Sequence, residues 1–181
     1  MITPHRLHGM RGQSLVEFSI VLPLIIVVAL GVVEVSYALL DQHIITKLTR
    51  EGSNLISRNT SLGDAATALR YMSTRPVDLD DGSRLTFSVI RNVPTIGAAN
   101  YNQAILSQRY SYGSLSAQST IQTQGSASFG GAPEYQASNP DNNTNLRVTN
   151  LPTTLSLGGM LYVTEIYTQH PTITPLAGFG I

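Results

Sequence analysis

The chain has 181 residues, enough for one folded domain of ordinary size and one membrane segment. It is 42% hydrophobic but only 12% charged, about half the charged share usual in soluble proteins, which points to an apolar solvent for part of it. Its 11 basic and 11 acidic residues cancel, so no global field attracts nucleic acid, and the lack of cysteine excludes disulfides, thiolate metal sites and a cysteine nucleophile.

Residues 1–12 read as a short basic leader, in which Arg6 and Arg11 stand without an acid and His5 and His8 add charge when protonated. Residues 18–33, FSIVLPLIIVVALGVV, carry no charge, and the chain continues apolar beyond Glu34 as far as Leu40. As a helix, residues 18–40 are about 35 Å long, enough to cross a hydrocarbon core of roughly 30 Å. With the two arginines kept on the cytoplasmic side, everything after Leu40 is expected to be exported. A carboxylate at the bilayer centre costs about 2.5–3.5 kcal/mol, which places Glu34 near the outer interface and Glu17 near the inner one. Pro23 removes a backbone donor inside the span and predicts a bend, not a break.

Beyond Leu40 the pattern turns amphipathic: Ile44, Ile45, Leu48, Leu55 and Ile56 recur at helical spacing among charged residues. One transmembrane and stalk helix over residues 13–58 is expected, followed by an exported domain over residues 59–181. Residues 64–73 predict a short helix with Asp64 as its N-cap and Pro76 closing the region. Residues 84–91 alternate as a strand, residues 105–112 are a plausible partner, and residues 160–168 form the clearest late strand. The fold class is therefore α+β, a small antiparallel sheet packed on the stalk helix. Residues 114–150 are rich in Ser, Gln, Asn, Thr and Gly and almost uncharged. They predict a long surface loop or mobile insertion with little apolar surface to bury.

No catalytic constellation stands out. The exported part has only His43 and His170, and contains no H-E-x-x-H, G-x-S-x-G or phosphate loop. His170, before Pro171, reads as a turn residue. Asp78-Leu79-Asp80-Asp81-Gly82 lacks the spacing and the twelfth-position Glu of a calcium loop and predicts a turn into the first strand. No metal, cofactor or enzymatic activity is expected.

The distinctive string lies at the head of the helix. Arg11-Gly12-Gln13-Ser14-Leu15-Val16-Glu17-Phe18 sets a Gly, four residues and a Glu at the mouth of a long apolar helix. This string resembles the processing site of type IV prepilins. The resemblance implies cleavage between Gly12 and Gln13 by a membrane prepilin peptidase, leaving Glu17 as the fifth residue of the mature chain. The wider stretch GQSLVEFSIVLPLIIVVALGVVEVSYAL, with Arg50-Glu51-Gly52 after it, resembles the TadE-type pseudopilins of tight-adherence (Flp) pili over residues 11–52. It implies a minor pilin in the bacterial inner membrane, single-pass, with its C-terminal domain exported. The implied partners are the peptidase, other pilin or pseudopilin subunits, the pilus assembly machinery and the lipid bilayer.

Physical chemistry supports the same junction. A cut after Gly12 creates a cationic amine at Gln13, one helical turn from Glu17 or within reach of a neighbouring subunit's Glu17, and the two charges can pair in a low-dielectric setting. Two other readings compete. In one the leader is retained and residues 114–150 of an anchored envelope protein recognise a partner. In the other an ordinary signal peptidase cuts after Ala38, in the small-x-small string Ser36-Tyr37-Ala38, and releases a secreted domain that starts at Leu39.

Overall fold

A computed structural model of the chain describes residues 10–169, with side chains from Gly12 onward. The expectations for residues 1–9, for the side chain of Arg11 and for His170 and Pro171 lie outside the described residues. The described elements are α1 (Met10–Ser57), α2 (Leu62–Met72), β1 (Ser83–Asn92), β2 (Ala104–Gly113), a 3-10 turn (Thr144–Leu146) and β3 (Met160–Thr168). They make an α+β protein with a long N-terminal helix. The chain falls into two compact units, which divide after Leu40.

The described part of the first unit is the apolar part of α1. Residues 12–29 are exposed all around the helix, and its most apolar stretch has a mean hydropathy of 2.7. A helix that is apolar on every face is stable in a solvent that is itself apolar, where internal hydrogen bonding is the only way to satisfy its backbone. α1 runs through Pro23 without interruption.

The second unit begins at Asp41. Here α1 does acquire a buried side: Leu48, Gly52 and Ile56 stand four residues apart on one ridge. Leu48 and Ile56 are buried in the main core with Leu62, Leu69, Leu85 and Phe87. Gly52 lies at the point of closest approach. A Cβ there would come within 2.8 Å of Thr164 Cγ2 and 2.9 Å of Leu69 Cδ1, so even one methyl group would displace the Thr164 and Leu69 side chains from their close packing. The contact is fastened by Ser53 Oγ, 3.0 Å from Thr164 Oγ1.

α2 starts two residues earlier than the sequence pattern predicts. Its N-cap is Ser61, not Asp64: Ser61 Oγ accepts from the Asp64 amide at 3.1 Å and donates to Asp64 Oδ2 at 2.7 Å. Asp64 sits in the first turn, where its charge favours the positive helix end.

The sheet has the order β2-β1-β3 and is antiparallel throughout. Because β1 is central, its inward-facing apolar residues Leu85, Phe87 and Val89 pack on the helices. Its alternate residues Thr86, Ser88 and Ile90 are equally buried, because residues 114–155 cover the other face. Ile121, Val148, Leu151 and Leu155 pack there with Ile90 and Leu106, and Ala137 and Leu146 close a further cluster on Val93 and Ile105. The expectation that this segment has little apolar surface to bury is corrected by these side chains. They are few among many polar residues, yet placed so that each reaches the sheet.

The same segment seals the outer edge of β2. The register shifts between Val89 and Ile90, leaving Ser107 as the extra residue of a bulge, and its buried hydroxyl donates to Val89 O at 2.9 Å. Outside it, the amides of Ala137 and Val148 donate to Ser107 O and Ala104 O, and Arg109 N donates to Tyr135 O. An unpaired edge is a template for unwanted strand addition, and on this side it is covered.

Candidate functional site

The residues singled out by their spacing, Gly12, Gln13, Glu17 and Pro23, all lie on the first turns of α1. Gln13 and Glu17 are four apart, hence neighbours on one helix face, and Gln13 Nε2 donates to Glu17 Oε1 at 3.0 Å. The carboxylate thus has a polar partner from its own chain at the mouth of the apolar run. The spacing that places the backbone amine of Gln13 one turn from Glu17 places its side-chain amide there as well. Nothing lies within 4 Å of where a Gly12 Cβ would be. Pro23 lacks the N–H that would bond Ser19 O. Serine hydroxyls along the span fold back onto the helix instead of seeking water: Ser19 donates to Leu15 O and Ser36 to Val32 O, both at 2.7 Å.

A second constellation, absent from the sequence reading, binds the long segment to the sheet. Glu165 on β3 accepts from Ser119 Oγ at 2.5 Å, from the Thr120 amide at 2.8 Å and from Tyr167 OH at 3.0 Å, and also bonds the Thr120 hydroxyl. Across β1, Arg109 on β2 donates to Ser88 Oγ, Ser119 Oγ and Ile121 O. Burial works against the charged form of Glu165, but these hydrogen bonds outweigh it and hold the carboxyl below the usual carboxylate range. Burial likewise lowers Arg109, with Glu165 opposing the effect. The available signal was that Arg109 and Glu165 are the lone charges of their strands. Together these bonds fasten residues 119–121 to the sheet.

Farther along, Tyr135 stacks on Tyr110 with ring centroids 4.1 Å apart, and Pro133 O accepts from the Gly63 amide in the first turn of α2. Residues 114–150 therefore wrap from one face of the sheet, around the β2 edge, to the other. The Asp78 turn is as expected: Asp78 Oδ1 accepts from the amides of Asp80 and Asp81, and Gly82 takes φ +72°. Asp80 is held by Tyr112 and Arg70, which keep its carboxyl below the usual range. Among the described residues, no three His, Asp or Glu side chains gather as metal ligands.

Residues 12–54 match the family model described as TadE-like protein, about a quarter of the chain and all of it within α1. The match takes in Gly12, Gln13, Glu17 and Pro23 as well as Gly52, whose close approach to β3 and α2 gives that glycine a physical reason. No curated protein and no solved structure matches the chain significantly. The helix thus carries a TadE-like segment that is long and apolar enough to cross a membrane.

Proposed function

Starting from a TadE-like α1 that is long and apolar enough to cross a membrane, we propose that the chain is a minor pilin or pseudopilin. It is processed between Gly12 and Gln13 and helps assemble, prime or cap a tight-adherence pilus, and through it supports surface attachment. The observation that carries this reading is the family match on one uninterrupted helix that keeps a carboxylate, Glu17, at its head. An anchor alone needs no acid there, since a carboxylate is more costly the deeper it sits, reaching about 2.5–3.5 kcal/mol at the bilayer centre.

Its partners are a prepilin peptidase, other pilin subunits, the assembly machinery and the bilayer of the inner membrane, with the domain exported. The role is structural and uses no cofactor or metal. The domain adds more than one hundred residues beyond the helix, which suits a minor or capping subunit better than the repeating unit of a thin filament. After the cut, the Gln13 amine pairs with Glu17 of the same or a neighbouring subunit, and the Gln13 amide remains available to the second carboxylate oxygen.

The direct test is the N-terminal residue of the protein isolated from its native membrane. Gln13 is expected. A chain that keeps Met1, or one that begins at Leu39, overturns the assignment.

Glu17→Ala is expected to leave the cut intact and to reduce recruitment into filaments. Removing one partner of a charge pair in low dielectric costs about 3–5 kcal/mol, so recruitment should fall by roughly a hundredfold or more. The readout is the amount of this subunit co-isolated with sheared pili. Unchanged recruitment would remove the pairing from the mechanism.

A further inference from the structure

The two ends of the sheet in the second unit differ in chemistry. At the end where β1 begins stand Arg70, Arg75, Asp78, Asp80, Asp81 and Arg84. At the end where β1 finishes, residues 92–108 and 148–164 contain no charged residue at all. Two tight turns project there. In the first, Ala98 N donates to Thr95 O at 3.2 Å and Gly97 has φ +86°; in the second, Gly159 N donates to Ser156 O at 2.8 Å and Gly158 has φ +76°. Both have the glycine at the third position that a type II turn requires, and each therefore presents its second residue at the tip. Those residues are Ile96, 84% exposed, and Leu157, 50% exposed.

Turn tips ordinarily carry Pro, Asn, Asp or Ser; here both carry large aliphatic side chains. The turns are neighbours: a Cβ on Gly158 would be 4.0 Å from Pro94 Cβ, and Asn92 exchanges backbone hydrogen bonds with Gly158 and Gly159. Met160 is 52% exposed beside the second turn and Tyr101 is 41% exposed after the first. The charged groups bonded to the first turn and the residues that follow it are already engaged: Asp141 with Arg91 and Thr95, and Arg147 with Asn100 and Ala99 O.

We propose that this uncharged rim of Ile96, Leu157, Met160 and Tyr101 is a second membrane contact, inserting into the surface of the bilayer that α1 crosses. The inference rests on the membrane-spanning reading of α1. Three observations favour lipid over a protein partner. The rim is aliphatic with one tyrosine, the composition that sits well at a hydrocarbon boundary. None of its four side chains is arginine, a residue enriched among the anchors of protein interfaces. And only seven residues lie between Leu40, the end of the apolar run, and Leu48, the first α1 residue buried in the domain; even fully extended, the eight residue steps span no more than about 29 Å.

The chain has no tryptophan, so a single introduced one reports its own position. The full chain is reconstituted in phosphatidylcholine vesicles with and without brominated acyl chains, as Leu24→Trp, Ile96→Trp and Tyr71→Trp. Tyr71 is 83% exposed on α2, which is tied through Arg70 to Asp80 at the charged end. Loss of emission by bromine is expected for Leu24→Trp and Ile96→Trp but not for Tyr71→Trp. If Leu24→Trp is quenched and Ile96→Trp behaves like Tyr71→Trp, the rim proposal fails while the membrane span stands. An unquenched Leu24→Trp overturns both. Emission of Ile96→Trp that is blue-shifted, insensitive to bromine and lost on diluting the protein among more vesicles assigns the rim to a second copy and likewise overturns the lipid contact.

Discussion

Gly12→Leu is expected to abolish the cut before Gln13, so that the isolated protein retains Arg6 and Arg11. The expectation is strong because the substitution has so little else to disturb. The position of a Gly12 Cβ has open space on all sides, and leucine favours a helix over glycine by somewhat less than about 1 kcal/mol. The chain should therefore fold and insert as before, and loss of processing would report the peptidase's need for a small residue. A second loss follows from the first. Without the cut there is no amine at Gln13, two arginines remain ahead of the apolar run, and Glu17 keeps the Gln13 side-chain amide as its partner among the described residues. Filament recruitment should then fall at least as far as in Glu17→Ala. Mass spectrometry of the N-terminal peptide decides the matter, and continued appearance of a chain starting at Gln13 would count against the prepilin assignment.

Phe87→Ala carries the largest expected cost in stability. Phe87 is fully buried in the middle of β1, the strand with a partner on each side, and packs in the core that joins α1, α2 and the sheet. Truncating a buried phenylalanine costs about 3–5 kcal/mol, a large part of the roughly 5–15 kcal/mol that stabilises a typical domain. Denaturant unfolding of the full chain in detergent, followed by tyrosine fluorescence, should show the midpoint move sharply. Ile96→Ala, at an exposed turn tip, should shift it by no more than about 0.5 kcal/mol. A Phe87→Ala protein with less than about 1 kcal/mol of loss would mean that the core does not close around β1 as described.

The helix and its head were readable because their signals are local and uninterrupted: an apolar run without charge, and a carboxylate four residues after Gln13. The strand positions were readable to within one residue at each end, since alternation in residues 84–91 and 160–168 is a period-two signal that few other structures imitate. What alternation could not show is which face meets water. Thr86 and Ser88 look like the solvated half of an amphipathic strand, yet Thr86 bonds Ser111 and Ser88 bonds Arg109 beneath a second layer. That layer was hidden because composition averages over residues 114–150, and Ile121, Ala137, Leu146 and Val148 are outnumbered by polar neighbours. Likewise Asp64 seemed a natural cap until Ser61, three residues earlier, proved to complete the reciprocal pair. Gly52 was legible as part of a family string but not as a contact, since its reason lies in Thr164, more than one hundred residues away in the chain.

The strand order β2-β1-β3 also sets a timetable. β1 finds its first partner soon, since β2 follows after a short connection, but its other edge pairs Ser83 with Thr168 and Arg91 with Met160. A chain made from its N-terminus forward therefore carries a half-zipped hairpin, with Phe87 already committed and one side of β1 open, until residues 160–168 have been delivered. Contacts so distant along the chain are the slow ones to form. A ribosome that stalls, or a truncation, between residues 113 and 160 would leave not a smaller version of this domain but a sticky intermediate with its most pairing-competent strand unsatisfied.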